Sequence, residues 1–273
     1  MPNKIPKIIH YCWLSGEDKP AFIQKCISSW KKVMPDYEIW CWDTKRFDIH
    51  SVKFVEEAYN VKKWAFAADY IRLYALYNYG GIYLDSDVLV FQKFDKFLHN
   101  SAFTSIESYF YGKKENDYWI ESAILGAEKG NLFIKECMEY YSNRNFILEN
   151  GTYDQSIICH IIANIAEKKY GFKKYIFTDT PLYLKDTIMT LYPPYIFSHD
   201  KGDIRKKTCA IHMYKGSWRD EKGKENKYLS IIRKIGVTLF NEKNWGIIYF
   251  KIKKNSSFIQ KTLNSFFKES SKK

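Results

Sequence analysis

The fold of this chain of 273 residues is predicted most directly from residues 64–91, WAFAADYIRLYALYNYGGIYLDSDVLVF. The first part predicts a helix that ends at Gly80-Gly81, because glycine readily adopts the backbone conformation of a C-terminal helix cap. Two short apolar runs follow, residues 82–84 and 88–91, of the kind that form buried strands. The stretch therefore predicts a helix, a glycine turn and a buried strand in succession.

Asp85-Ser86-Asp87 lies between the two apolar runs. In an extended strand both carboxylates project to one side, close enough to hold one divalent cation. Because unpaired carboxylates in an apolar strand are costly, we expect a positive group against them. An isolated Asp-X-Asp is more often a turn that bonds nearby backbone amides. Here Asp69 and Arg72, which share one face of the preceding helix, favour a functional site.

The rest of the chain alternates short apolar strands with amphipathic helices. This alternation predicts an α/β fold with a largely parallel sheet and helices on both faces. Ligands of such folds bind beyond the carboxyl ends of the strands, where Trp13 and the two aspartates are expected. The further predicted strands are residues 5–14, 37–42 and 123–127, and the further helices are residues 20–34 and 132–141.

Four segments are less regular. Residues 101–118 lack periodicity and are predicted as a flap beside the site. Residues 152–166 predict a helix with Asp154 and Gln155 in its first turn, where both side chains could cap the helix. Residues 192–197 predict an irregular connection because they contain two prolines, and residues 209–218 predict a strand that runs into a loop.

The six cysteines contain no C-x-x-C pair, which favours reduced, mostly buried thiols of a cytosolic protein over disulfides or a zinc site. Neither a signal peptide nor an apolar stretch of about 18 residues is visible. We therefore predict a cytoplasmic location. The net charge of +12 is concentrated in residues 222–273, which hold thirteen Lys and Arg against three Glu. We accordingly predict a catalytic domain over residues 1–221 and a basic, helical C-terminal extension over residues 222–273.

Basic residues in this extension alternate with large apolar ones, and three interpretations stay open. An amphipathic segment of this type can lie in an anionic membrane surface, which would bring the protein to a lipid-linked acceptor as a peripheral membrane protein. The extension can equally be a solvated helix that packs on the body or on another subunit. Nucleic-acid binding is less favoured, because no recognition motif accompanies the charge, and we expect no nucleic-acid partner.

Three motifs together resemble glycosyltransferase family 32: IPKIIHYCWLSG at residues 5–16, the Asp/Arg helix that leads into GGIYLDSD at residues 80–87, and IHMYKGSW at residues 211–218. That family includes bacterial capsular polysaccharide and lipooligosaccharide sugar transferases and yeast mannosyltransferases, and clostridial glucosylating toxins have similar catalytic domains. The resemblance is strongest over residues 65–89. It implies a Rossmann-like GT-A fold, a nucleotide-sugar donor, a divalent cation and retention of the anomeric configuration.

The resemblance also implies roles for individual residues. Asp69, Arg72 and Asp87 match catalytic positions, the first two as a sugar-binding pair. Asp85, Asp87 and His212 match metal ligands, and an imidazole ligand favours manganese over magnesium, which stays the alternative. The implied donor-binding residues are Trp13, Tyr83, Asp85, Asp154, Gln155, Ser217 and Trp218.

Structural explanations compete with several of these roles. Asp69 and Arg72 could form a surface ion pair of little energetic value. Trp13 and His212 could be ordinary core residues.

These observations predict a metal-dependent retaining glycosyltransferase, with a UDP-sugar as the favoured donor. The predicted acceptor is a glycan or a lipid-linked saccharide in the synthesis of bacterial capsular polysaccharide or lipopolysaccharide. A nucleotidyltransferase is the nearest alternative. It needs a glycine-rich, basic loop after the first strand, and residues 15–18 (SGED) are neither glycine-rich nor basic. A non-catalytic membrane-binding or nucleic-acid-binding module is a further alternative, which the intact set of Asp69, Arg72, Asp85 and Asp87 disfavours.

Overall fold

The computed structural model describes residues 2–108, 118–174, 179–197 and 205–213. Within these ranges, helices and strands alternate along much of the chain. The helices are α1 (Ala21–Val33), α2 (Lys53–Asn60), α3 (Trp64–Tyr79), α4 (Leu132–Glu139), α5 (Ile158–Lys169) and α6 (Pro194–Phe197). The strands are β1 (Ile8–Cys12), β2 (Glu38–Trp42), β3 (Gly81–Leu84), β4 (Val88–Val90), β5 (Ala102–Ser108), β6 (Tyr118–Ile120), β7 (Ile124–Ala127), β8 (Leu182–Tyr183), β9 (Thr190–Tyr192) and β10 (Ala210–His212).

Eight of the described strands form one mixed sheet in the order β2-β1-β3-β7-β5-β9-β8, with β6 paired to β5. Strand β1 runs parallel to both β2 and β3, and β5 runs parallel to β9. Strand β7 lies antiparallel between β3 and β5, so β5 and β9 point the same way as β1, β2 and β3. The predicted α/β class with a mostly parallel, helix-flanked sheet is confirmed.

The sheet separates two hydrophobic cores. In strand β3, Tyr83 belongs to one core, whereas Ile82 and Leu84 belong to the other. This alternation is the one expected of a strand buried on both faces. Helices α2 to α5 contribute to the first core, and α1 and β4 contribute to the second. Both faces of the central strands are therefore covered by apolar side chains.

The prediction of a flap over residues 101–118 was wrong for its first part, because residues 102–108 form strand β5 inside the sheet. Thr104 and Ser105 are buried there although they are polar. The Thr104 hydroxyl shares its proton between the backbone oxygens of Ile124 at 2.6 Å and Glu121 at 2.9 Å, which lowers the cost of burying Thr104. Because these polar residues are buried, the sequence does not show the alternation of polar and apolar residues that is expected of a strand. Residues 109–117 lie outside the described ranges.

Two further predictions need correction. Helix α5 begins at Ile158 rather than near residue 152, so Asp154 and Gln155 precede it and do not occupy its first turn. Residues 194–197 form the short helix α6 rather than an irregular connection. Proline is tolerated in the first turn of a helix, because the amide hydrogen it lacks would have no partner there, and Pro194 accordingly begins α6.

The end of helix α3 agrees with its prediction. Gly80 caps the helix, and its amide donates to the Leu76 oxygen. Gly81 has a φ of +115°, and a Cβ there would approach the Ile8 oxygen to 2.6 Å. The glycine pair is required for this tight passage into β3.

His10 holds the same region together from inside the sheet. It is fully buried, its Nε2 lies 2.7 Å from the Gly80 oxygen, and the Trp42 indole donates to its Nδ1 at 3.1 Å. Both contacts suit a neutral imidazole with its proton on Nε2. Burial lowers the pKa of His10 to about 4.

None of the six cysteines, all of which fall in the described ranges, forms a disulfide. In the part of the chain that the structure describes, no helix has both the length and the apolar character needed to cross a bilayer. The predicted domain boundary at residue 221, the helical extension beyond it, and Ser217 and Trp218 lie outside the described residues.

We predict that acid destabilises the protein partly through His10. Because the pKa of His10 is lower in the folded chain than the usual 6.5, the contribution of its neutral form is complete above pH 6.5 and is lost as the pH falls towards 4. Between pH 7.5 and pH 4.5, the wild-type protein should lose roughly 2 to 3 kcal/mol more unfolding free energy than His10→Gln. Urea titrations at both pH values measure this difference. The exposed His99→Gln is the control and should lose as much as the wild type. Equal losses in all three proteins would contradict the prediction.

Candidate functional site

The carboxyl ends of the neighbouring parallel strands β1 and β3 meet at one edge of the sheet. The chain continues there into Trp13 on one side and Asp85 on the other, and a cavity of about 350 Å³ opens between them. This is the edge at which the sequence predicts a ligand site. The residues that line the cavity include Cys12, Trp13, Leu14, Ser15, Glu17, Trp64, Asp69, Arg72, Tyr83, Asp85, Asp87, Glu107, Glu121, Ser122, Cys159 and His212.

Asp85-Ser86-Asp87 forms a tight turn rather than the extended strand that was predicted. Strand β3 ends at Leu84, β4 begins at Val88, and the Val88 amide donates to the Asp85 oxygen at 2.9 Å. This bond between the first and fourth residues is typical of a β-turn. The two carboxylates are therefore brought together by a turn, not by the alternation of a strand.

His212 reaches this turn through the small second sheet. Strand β10 pairs antiparallel with β4, with His212 opposite Val88, and the Met213 amide donates to the Asp87 oxygen. Helix α1 fixes β4 in turn, because the Trp30 indole donates to the Val88 oxygen at 2.8 Å. A histidine about 125 positions away in the chain is thereby placed beside both aspartates.

Asp85, Asp87 and His212 form a cluster able to hold a metal ion, with one ligand atom from each within 4.8 Å of the others. His212 Nε2 lies 3.3 Å from Asp87 Oδ1 and 3.8 Å from Asp85 Oδ2. Two ligand atoms that bind one ion at right angles, each about 2.1 Å from it, are about 3 Å apart. Small movements of these side chains would therefore bring the three ligand atoms to binding distance. Two carboxylates and one imidazole form a donor set that divalent cations accept, so these residues fit a metal ion.

The charge around His212 shows how strongly this cluster attracts a cation. Burial alone would lower the pKa of His212, but the negative charges of Asp87, Glu121 and Asp85 outweigh it and raise the pKa to about 9. Arg72 similarly approaches Asp85, with Nη1 3.4 Å from Oδ1. The expected positive groups against the two carboxylates are therefore present.

Asp69 and Arg72 form a buried pair, so the interpretation as a surface ion pair was wrong. Only 7% of Asp69 and 4% of Arg72 is exposed, and Arg72 Nη2 donates to Asp69 Oδ1 at 2.7 Å. Burial raises the pKa of Asp69 to about 7, with Asp85 adding to the effect and Arg72 opposing it. The Asp69 carboxyl is thus a polar group held at low exposure beside the cavity.

Two further contacts orient the Arg72 guanidinium. Nη1 donates to the Ser122 oxygen at 2.9 Å, and the guanidinium carbon lies 4.6 Å from the centre of the Tyr83 ring. Burial by itself would lower the pKa of Arg72, but Asp85, Tyr83 and Asp69 outweigh that effect and raise it. Arg72 therefore stays charged and is held between helix α3, strand β3 and residue 122.

Trp13 lies half-buried on the cavity wall. Its indole donates to the Glu17 oxygen at 2.7 Å, and Lys19 Nζ lies 5.4 Å from the centre of the ring. The segment that follows β1 folds back on the tryptophan through these contacts. Tyr83 also lines the cavity, but it is 1% exposed and its ring packs against Arg72.

Asp154 and Gln155 are not among the residues that line the cavity. Asp154 pairs with Arg144 at 3.0 Å and accepts a bond from the Ser156 hydroxyl, whereas Gln155 is exposed. The geometry therefore gives no support to their predicted donor-binding role. Helix capping does not explain them either, because Ile157 is the N-terminal cap residue of α5.

The sequence did not indicate two buried acids of this cavity, Glu107 and Glu121, which are 5% and 1% exposed. Glu107 lies in strand β5, within the segment that was predicted as a flap. Glu121 lies two residues before the apolar run 123–127. A charged residue next to a predicted core strand is the sequence feature that could have indicated Glu121, as it indicated Asp85.

We predict that Arg72→Ala destabilises the fold by about 3 to 5 kcal/mol, because it leaves Asp69 and Asp85 without their buried cation. Arg72→Lys should cost less but still be measurable, since an ammonium cannot reproduce the planar fork. Urea unfolding at pH 7.5 measures both. The exposed Arg46→Ala is the control and should change stability by less than about 1 kcal/mol. A cost for Arg72→Ala as small as that of the control would contradict the buried pair.

Comparison with known proteins finds similar sequences over part of the chain. Residues 20–104 match the family model described as "Glycosyltransferase sugar-binding region containing DXD motif". Inositol phosphoceramide mannosyltransferase 3 of Schizosaccharomyces pombe is 30% identical over 141 residues, which cover 48% of this chain and 35% of the yeast protein. The chain thus spans about a third of the length of that relative.

Two solved structures of glycosyltransferases are similar at a distance. PaToxG glycosyltransferase is 16% identical with a TM-score of 0.42, and the match covers 60% of this chain and 70% of the other. The galactosyltransferase LgtC, solved in complex with donor and acceptor sugar analogs, is 14% identical with a TM-score of 0.37, and the match covers 88% of this chain and 99% of the other.

The family match contains α3, the glycine pair and the aspartate turn, which are the elements that build one side of the cavity. The mostly parallel sheet agrees with the GT-A type of fold that was expected. Residues 20–104 of this chain are therefore similar to the glycosyltransferase sugar-binding region that contains a DXD motif, and the predicted resemblance to glycosyltransferase family 32 is confirmed.

Proposed function

We propose that this protein is a metal-dependent glycosyltransferase that moves a sugar from a nucleotide-diphosphate sugar to an acceptor hydroxyl. One observation carries the proposal: a cluster of Asp85, Asp87 and His212 that could hold a metal ion lines the same cavity as the buried Asp69–Arg72 pair. A donor of this class needs a site for its diphosphate and a site for its sugar. The two groups of residues would supply them side by side.

The charge of the cavity supports the need for a metal ion. Among its described lining residues, six carboxylates face one arginine and one histidine: Glu17, Asp69, Asp85, Asp87, Glu107 and Glu121. A diphosphate would be repelled by this surplus of negative charge unless a cation entered with it. A bound divalent cation would act as a Lewis acid that stabilises the departing diphosphate. The imidazole of His212 makes manganese the preferred ion and magnesium the alternative.

Asp69 and Arg72 are the proposed sugar-binding pair. A carboxylate can accept bonds from two neighbouring hydroxyls, and a guanidinium can donate to hydroxyl or phosphate oxygens. Arg72 is held by Asp69, Asp85 and the Ser122 oxygen, and its Nε has no hydrogen-bond partner among the described residues. Such groups are oriented before the ligand arrives, which lowers the reorganisation cost of the reaction.

Trp13 is proposed to stack on the nucleotide base. Its half-buried ring on the cavity wall supports this role, and the resemblance makes uracil the favoured base. Tyr83 would act mainly by packing against Arg72, since little of its surface is open. Ser217 and Trp218 are proposed to close over the diphosphate, which would exclude water from the donor.

We propose that the acceptor is a glycan or a lipid-linked saccharide of a bacterial surface polysaccharide. The name of the yeast relative, an inositol phosphoceramide mannosyltransferase, supports a lipid-linked acceptor. The proposed organisation is a catalytic domain over residues 1–221 and a basic extension over residues 222–273, whose charge would suit an anionic membrane surface.

The proposal predicts metal-dependent cleavage of a nucleotide sugar. Incubation with manganese and a panel of UDP- and GDP-sugars should release nucleotide diphosphate as the sugar passes slowly to water in the absence of an acceptor, measured by a coupled assay. Chelation should abolish the release. Asp87→Asn should lower kcat/KM at least 100-fold, because it removes a charged ligand while it keeps the shape of the side chain.

The control for this experiment is Asp186→Asn, an exposed aspartate outside the cavity, which should leave the release unchanged. In a separate incubation with a nucleoside triphosphate and a sugar 1-phosphate, release of pyrophosphate would favour the nucleotidyltransferase alternative. Against that alternative, the segment after β1 presents the acid Glu17 to the cavity rather than a basic phosphate loop. Full activity without metal or in Asp87→Asn would refute the proposal.

We further predict that the product keeps the anomeric configuration of the donor. In same-face transfer the departing phosphate oxygen takes the proton of the acceptor hydroxyl, so no carboxylate nucleophile is needed, in contrast to retaining glycosidases. Proton NMR of the first product formed from an α-linked donor should show a new α-linkage. A β-linkage in the earliest spectra would show inversion instead.

A further inference from the structure

Glu121 is a buried acid that the proposed function does not use. It lies between β6 and β7, and 1% of its surface is exposed. Its Oε1 accepts bonds from the backbone amides of Ser122 at 2.9 Å and Ala123 at 2.6 Å. The backbone of Glu121 is also held, because its amide donates to the Ser105 oxygen and its oxygen accepts from the Thr104 hydroxyl. The conformation of residues 121–123 is therefore determined from several sides.

The carbonyl groups of the same two residues point to the site. The Ser122 oxygen accepts the bond from Arg72 Nη1 at 2.9 Å, and the Ala123 oxygen accepts the bond from the Asp85 amide at 2.8 Å. The Ser122 carbonyl and the Ala123 amide belong to one planar peptide group, in which C=O and N–H point in opposite directions. When Glu121 holds the Ala123 amide, it also aims the Ser122 carbonyl at Arg72.

Glu121 also faces the third member of the site. Its Oε1 lies 3.9 Å from His212 Nδ1, on the side of the ring opposite to the Nε2 that approaches Asp85 and Asp87. At this distance the carboxylate acts on the ring through its charge. A carboxylate behind a ligating imidazole strengthens and orients that ligand in metal sites.

We propose that Glu121 is a positioning residue that aligns Arg72, Asp85 and His212 with one another. It acts on the first two through the 121–123 backbone and on the third through its negative charge. The Glu121 side chain accepts bonds from the two backbone amides of Ser122 and Ala123, and the carbonyl oxygens of these same residues hold Arg72 and Asp85. The inference rests on the proposed function only where it states that the alignment serves donor binding and cleavage. The contacts of Glu121 do not depend on that function.

Two variants separate the two effects. Glu121→Gln keeps an oxygen able to accept both amide bonds but removes the charge, whereas Glu121→Ala removes both. Glu57 provides the matched control, because its carboxylate also accepts a backbone amide bond, from Ile147 at 2.9 Å, but it does not line the cavity. Glu57→Gln and Glu57→Ala should therefore leave metal binding and turnover unchanged.

Manganese binding by the purified, folded proteins is the first measurement, by isothermal titration or by electron paramagnetic resonance. The Kd for manganese should rise about tenfold in Glu121→Gln and 10-fold to 100-fold in Glu121→Ala. The kcat for donor cleavage should stay within about tenfold of wild type in Glu121→Gln and fall at least 100-fold in Glu121→Ala. Wild-type Kd and kcat in both variants would overturn the proposal.

Crystal structures of the variants give a readout that does not depend on activity. In Glu121→Gln the bonds from Arg72 to Ser122 and from Asp85 to Ala123 should persist, and in Glu121→Ala at least the first should be lost. Should the wild type cleave no donor, the proposed function fails while these structures still decide the role of Glu121. If Glu121→Ala does not fold, Glu121→Gln decides, because unchanged manganese affinity in that variant overturns the part assigned to charge.

Discussion

The buried guanidinium of Arg72 is the interaction on which the candidate site depends. It connects Asp69 on its own helix, Asp85 at the end of β3 and the Ser122 oxygen before β7. Removing a charge from water is expensive, and a buried arginine is stable only when its donors are matched by acceptors of fixed geometry. The same requirement brings three separate segments of the chain to one point. The polar centre of the site is therefore a consequence of satisfying one buried cation.

A second constraint acts on the backbone around that centre. Helix α3 must turn within two residues into β3, which runs beside β1 at very close range, and only glycine fits at position 81. The neutral His10 fills the space next to this turn and joins it to β2 through Trp42. Because Asp85 lies four residues after the turn, any shift there would move the carboxylate relative to Arg72. His10 is thus structural, although it lies in the same distinctive sequence motif as Trp13 of the cavity wall.

The electrostatic balance of the cavity has a chemical consequence. Carboxylates outnumber cationic groups among its described lining residues, and the one arginine is already paired. Such a site attracts a metal ion and favours hydroxyl-rich, uncharged groups where no metal neutralises it. A nucleotide-diphosphate sugar has both parts, a diphosphate that needs a cation and a sugar that needs hydrogen-bond acceptors. The proposed function follows from this match between charge and ligand.

The sequence by itself determined the local elements of the first half of the chain. The helix period before Gly80-Gly81, the apolar runs of β1, β2 and β3, and the paired aspartates are all short-range patterns, and they suffice for the α/β class and for the edge of the sheet at which the site lies. Long-range packing places the aspartates in a turn, buries the Asp69–Arg72 pair and brings Glu107 and Glu121 to the cavity. Burial and pairing depend on contacts between residues far apart in the chain, such as Arg72 with Ser122 and Asp87 with His212, and a local sequence period does not record such contacts.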